Sequence, residues 1–103
     1  MAGRIRIRAQ KQGEYTEVKA LMRHPMETGM RKDAAGEPIP AHFITEVAGK
    51  HGEKVVMSAQ WGAAVSQNPF LGFRFKGGES GDEVSVSYID NKGETGSGST
   101  KIR

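Results

Sequence analysis

The stretch RIRIRA, residues 4–9, alternates basic and apolar side chains without a break. A period of two places Ile5, Ile7 and Ala9 on one face and Arg4, Arg6 and Arg8 on the other, the pattern of a half-buried strand. The same period recurs along the chain. Residues 15–22 bring Val18, Ala20 and Met22 together. Helix competes there, because Glu, Lys, Ala and Leu favour it, but the short length and the flanking patterns favour a strand. Residues 42–48 put Phe43, Thr45 and Val47 on one face, and residues 54–61 do so with Val55, Met57, Ala59 and Trp61. Residues 70–76 align Leu71, Phe73 and Phe75, the expected heaviest strand of the core, and residues 83–90 align Val84, Val86 and Tyr88.

Turns separate these runs at residues 10–14, 49–52, 77–82 and 90–93, each containing Gly. Residues 94–103 are rich in Gly, Ser and Thr and read as a weak edge strand or a frayed tail. About seven short strands with frequent turns predict an all-β, immunoglobulin-like β-sandwich. The Cys and Trp spacing of antibody domains is absent, so only the architecture is implied. The 103 residues suit a single domain, residues 1–103.

Composition narrows the function. The apolar fraction is 36% with 14 Gly, which fits short strands and a thin core that gains stability from a partner. There is no Cys, which removes disulfides, thiolate metal sites and any covalent carrier role on sulfur. Net charge is +3, with Arg4, Arg6, Arg8 and Lys11 crowded near the start. Anionic partners are compatible, although a solvated strand face explains the same charges. Seven aromatics in apolar settings do not make a base-stacking platform, so nucleic acid is not expected. No segment is long and apolar enough to span a membrane, and no apolar core of a signal peptide follows the first residues. On those grounds alone the chain reads as cytoplasmic.

The period is lost over residues 23–40, punctuated by Pro25, Gly29, Gly36, Pro38 and Pro40, with a small hairpin expected at Asp33-Ala34-Ala35-Gly36. Within it, HPMETGMRKD (residues 24–33) holds Met26 and Met30 in a polar setting. Adaptable Met and anchoring aromatics mark binding surfaces. Met26, Met30, Ile39, Trp61, Phe70 and Leu71 are therefore the candidate partner interface, with core filling as the competing account. The spacing of His24, His42 and His51 does not support a metal site, and they read as surface or loop histidines. The carboxylates Glu27, Asp33, Glu37 and Glu46 read as a solvated loop. No nucleophile elbow is present, and Gly77, Gly78 and Gly81 lack the Lys and helix of a phosphate-binding loop. Neither catalytic residues nor a cofactor is expected.

The segments HPMETGMRKD, GEPIP and HFI, then NPF leading into FRFKG, then DNKGE, resemble the SoxZ family in order and spacing over nearly the whole chain. The resemblance implies an immunoglobulin-like β-sandwich that is not itself an enzyme. It implies pairing with SoxY in the SoxYZ carrier of thiosulfate oxidation. SoxY holds sulfur intermediates on a cysteine near its carboxyl terminus, and other Sox enzymes act on them. A periplasmic location is implied, with export on the partner's signal, since this chain shows none. Apart from the resemblance, an unpaired sandwich with an apolar patch could form a symmetric homodimer when expressed alone, and the sequence leaves that open.

Overall fold

The structure, a computed structural model, describes residues 3–103, the side chains of residues 3 and 4 excepted. The outward position expected of Arg4 lies outside the described side chains. Seven strands follow one another, with no helix among the described residues: β1 (Gly3–Gln12), β2 (Tyr15–Met22), β3 (Ile44–His51), β4 (Lys54–Gln60), β5 (Phe70–Lys76), β6 (Glu83–Asp90) and β7 (Thr95–Lys101). They form two antiparallel sheets, β4-β3-β6-β7 and β1-β2-β5. A short parallel pairing joins the sheets, Gly3 with Gly96 and Arg4 with Ser97. The fold is an immunoglobulin-like β-sandwich.

The core lies between the sheets and follows the period of two. Val18, Ala20 and Met22 of β2 face Val84, Val86 and Tyr88 of β6, with Ile5, Ala9, Ile44, Val47 and Phe75 around them. Each fully buried aliphatic side chain stabilises the fold by roughly 1.5–3 kcal/mol relative to exposure. The facing sheets come close at Gly49 of β3, where an added Cβ would lie 2.7 Å from the Phe73 ring of β5.

Several expectations change. Val55 of β4 is exposed, and Val56 packs against the core in its place. β5 is not the heaviest strand: only Phe75 is buried, while Leu71 and Phe73 are half-buried. It ends a sheet, so one flank lacks a neighbour to cover it. β1 runs on to Gln12 before a tight turn at Gly13-Glu14. The face expected for β3 is interrupted: Ile44 and Val47 are both buried, three residues apart, because a register shift between Ile44 and Glu46 resets the alternation. A bulge of this kind lets two successive phases point to one face.

The largest change concerns the carboxyl-terminal stretch. β7 is an interior strand, paired with β6 along its length and with β1 at its start. Its glycines explain why so few apolar residues suffice. A Cβ on Gly96 would lie 2.3 Å from the Tyr88 ring, and one on Gly98 2.3 Å from the Ile5 carbonyl oxygen. The strand fits because it has no side chains there. Beyond it, Ile102 is buried and Arg103 exchanges backbone hydrogen bonds with Ala9 and Lys11.

Gly98→Ala should therefore destabilise the fold by about 2 kcal/mol, since a backbone carbonyl cannot swing away as a side chain can. Gly62→Ala, which meets nothing within 4 Å, should be neutral. Urea unfolding midpoints with unchanged slope measure both, and a neutral Gly98→Ala would contradict the close approach of β7 to β1.

Candidate functional site

At one end of the sandwich the alternation of two strands continues past their last core residues. In the first, Val18, Ala20 and Met22 are followed by buried His24 and buried Met26, with exposed Arg23 and Pro25 between. In the second, Val84, Val86 and Tyr88 lead to buried Asp90. The two lines meet: His24 Nε2 lies 3.0 Å from Asp90 Oδ2. The bulge in β3 turns His42 toward the same oxygen, at 2.7 Å, and His42 Nε2 is also 3.0 Å from Glu94 Oε2. The His24 ring packs edge-on against those of His42 and Tyr88, with centroids 4.6 and 5.6 Å apart.

The bonding pattern assigns the protons. Met26 N–H donates to His24 Nδ1 at 3.1 Å, so Nδ1 is the unprotonated nitrogen and Nε2–H donates to Asp90. His42 Nε2 faces two carboxylates and must carry its proton as well. Asp90 Oδ1 accepts the N–H groups of Lys92 and Glu94, both at 2.9 Å. Burial pushes the Asp90 carboxyl up, but the bonds from His24, Glu94 N–H, His42 and Lys92 N–H outweigh it and hold the pKa at about 2.

Surrounding bonds lock the three segments together. His24 N–H donates to Asn68 Oδ1, and Asn68 N–H donates to the His24 carbonyl, each at 3.0 Å. Asn68 takes a positive φ of 52° to do so, and Met26 one of 47°; Asn tolerates this region better than Met. The Met26 thioether is 3.4 Å from Ile44 N–H, a weak acceptor contact. Asn91 Oδ1 accepts Phe43 N–H at 2.8 Å, and Asn91 Nδ2 donates to the Ala41 carbonyl at 2.9 Å. HPM, NPF, HF and DN, four pieces scattered in sequence, are thus one hydrogen-bonded site.

From this site an arm projects. Glu27 and His42 exchange backbone hydrogen bonds at 2.7 and 2.9 Å, Ile39 N–H reaches the Arg31 carbonyl, and Asp33 Oδ1 caps the tip through Ala35 and Glu37 N–H. The hairpin expected at residues 33–36 is its tip, and every residue from 28 to 38 is exposed.

The spacing of His24 and His42 in the sequence reads as that of surface or loop histidines, whereas His24 is 4% exposed and both bond one carboxylate. The missed signal was the period itself, which runs two residues past β2 to His24 and through the last residue of β6 to Asp90. His51 stands apart, 2.7 Å from Asp82. Of the interface candidates, Met26 is buried in the chain's own core, Ile39, Trp61 and Leu71 are half-buried, and Met30 and Phe70 are 88% and 63% exposed.

His24 Nε2, His42 Nε2 and Asp90 Oδ2 lie within 4.8 Å of one another, close enough to share a metal ion. The tautomer opposes it. A metal on His24 Nε2 needs the proton on Nδ1, which would then face the Met26 N–H, donor against donor. The arrangement is a proton-filled hydrogen-bond lock. Added Zn2+ should leave the thermal midpoint unchanged, since an ion bound only to the folded state would raise it.

Asp90 also sets an acid limit. Its folded pKa is depressed, so its contribution is complete above the ordinary value of 3.8 and disappears as pH falls toward about 2. That contribution is on the order of 2 kcal/mol. Asp90→Asn should lose about that much at neutral pH and flatten the stability profile between about pH 4 and 2. A profile as steep as that of the parent protein would mean other carboxylates govern acid unfolding.

Comparison with known proteins agrees with this layout. A search of curated proteins found no match. A solved structure, superoxide reductase in the oxidised state, superposes with a TM-score of 0.67, covering 100% of this chain and 90% of that one at 14% identity. At that identity the likeness is one of fold. The family described as sulphur oxidation protein SoxZ matches residues 5–101, a span that contains every residue of the lock. With nearly its whole length matched, the chain belongs to the SoxZ family of sulfur oxidation proteins.

Proposed function

We propose that this chain is the non-catalytic subunit of the SoxYZ sulfur carrier, pairing with SoxY, whose cysteine holds the sulfur intermediates of thiosulfate oxidation. The family match over residues 5–101 carries this reading. Two features of the chain support it. It has no Cys, so the sulfur must ride on another chain. Its buried polar cluster at His24, His42 and Asp90 is tied up in internal hydrogen bonds and presents no activated nucleophile. Periplasmic residence follows from the same reading, with export on the SoxY signal. The whole of residues 1–103 acts as one domain in it.

We assign Met30, at the flank of the arm, to the SoxY contact and Phe70, on the outward face of β5, to docking of other Sox enzymes. Met26 serves the contact from beneath, by fixing the root of the arm through Ile44. Ile39, Trp61 and Leu71 back these surfaces with half-buried apolar area. Alone, the chain is free to self-associate through the same apolar residues as a symmetric dimer.

Co-expression with SoxY should yield a stable one-to-one complex whose SoxY cysteine accepts thiosulfate-derived sulfur, read by solution mass and intact-protein mass spectrometry. Met30→Ser should weaken pairing by about tenfold, the cost of losing an interface side chain worth somewhat over 1 kcal/mol. A wild-type chain that stays folded and indifferent to SoxY would overturn the subunit assignment. Unchanged affinity in Met30→Ser would remove the arm from the contact.

A further inference from the structure

The outward face of β1, β2 and β5 concentrates charge that neither the core nor the hydrogen-bond lock uses. Register sets Arg8 beside Lys19 and Lys19 beside Gly72, with Glu17 beside Arg74 and Tyr15 beside Lys76 in the rows that follow. Arg6, Arg8, Lys19, Arg74 and Lys76 are all exposed, and Glu17 is the one carboxylate among them. This face alone holds a formal +4, against +3 for the entire chain. Glu17 pairs with Lys19 at 3.6 Å, and the Arg74 guanidinium sits 5.9 Å from the Tyr15 ring centre. Arg6, Arg8 and Lys76 make no ion pair among the described residues. Arg8 and Lys19 are direct cross-strand neighbours, a placement that costs the fold stability.

Beside these cations lies an apolar anchor. Phe70, 63% exposed, is paired in register with Leu21, 41% exposed. Concavities of about 580 and 320 Å³ flank the Phe70 ring; Arg6 and Arg8 line the first, Gly72 and Arg74 the second.

We propose that this face docks an acidic, extended segment of a visiting protein, with one apolar side chain of that segment seated against Phe70 and Leu21. This deepens the docking role given to Phe70 and rests on it. The spacing is that of an extended chain: Arg6 and Arg8 on β1, and Arg74 and Lys76 on β5, repeat every second residue, roughly 6.6 Å. Carboxylates on alternate residues of the visitor match that repeat. Nucleic acid fits less well, because the face offers one protruding Phe rather than a stacking series, and Glu17 stands among the cations. Exposed charges are screened and individually weak, so they speed encounter and permit release, as suits a visitor rather than a permanent subunit.

The test uses the full chain and a short fluorescein-labelled peptide alternating Glu with Val, followed by anisotropy. Affinity should fall by about tenfold or more between about 0.01 M and 0.15 M salt. The triple variant Arg6→Glu, Arg8→Glu, Arg74→Glu should lose binding by at least about tenfold. A control with the same charge change on exposed positions elsewhere, Lys50→Glu, Lys54→Glu, Lys101→Glu, should stay within about twofold. Circular dichroism checks that both variants are folded. Equal losses in the two variants, no binding by the parent chain, or tighter binding of a single-stranded oligonucleotide through the same arginines would each overturn the proposal. So would loss of SoxY pairing in the first triple variant, which would make this face a permanent interface. A parent chain that binds the peptide but ignores SoxY supports this docking face and counts only against the pairing.

Discussion

The Asp90 carboxylate is the constraint on which the arm-bearing end of the molecule depends. It is nearly sealed from water and ionised, and it accepts four hydrogen bonds, two from imidazoles and two from backbone amides of its own turn. A buried charge of this kind is tolerated only when its lone pairs are filled. His24 therefore has to arrive from β2, His42 from β3 and the amides from the turn after β6. Each donor is held by a further bond, His24 through Met26 and Asn68, and the entry to β3 through Asn91.

Such a lock adds little to net stability compared with an apolar core of equal volume, because desolvation offsets much of what the hydrogen bonds return. Its consequence is positional. Residues 23–42 leave the sandwich after β2 and re-enter at β3, and both ends are anchored to Asp90 within a few residues. The arm between them is aimed by this attachment while its own residues stay in solvent. An exposed Met30 on an arm with a rigid root loses less freedom on binding than the same residue on a loose loop.

Two different surfaces thus project from one framework. The arm offers an apolar contact at the end of the sandwich, and the β1-β2-β5 face offers cations around a single aromatic anchor. In the proposed carrier role, the chain would hold one partner and admit others, and the chemistry of these surfaces suits that division: apolar area for lasting contact, screened charge for brief contact.

Much of the sandwich was legible in the sequence because burial between two sheets imposes a period of two, and Ile5, Val18, Met22, Val84, Val86 and Phe75 obey it. The motifs that mark the family were legible too. The purpose of the pieces was not. His24 follows the strand period past the end of β2, where Pro25 disguises it, and Asp90 is the last residue of β6, where the turn at Asn91 makes a carboxylate read as solvated. His42 could not be read at all, since the pattern of Phe43, Thr45 and Val47 points it outward and only the bulge before Glu46 turns it in. Nor could β7, whose glycines look like a tail until Ile5 and Tyr88 occupy the space a side chain would need. Local alternation is a property of one strand and is written in that strand. A bulge, a close approach between strands and a carboxylate shared by two histidines are properties of how distant strands meet, and only the tertiary structure decides them.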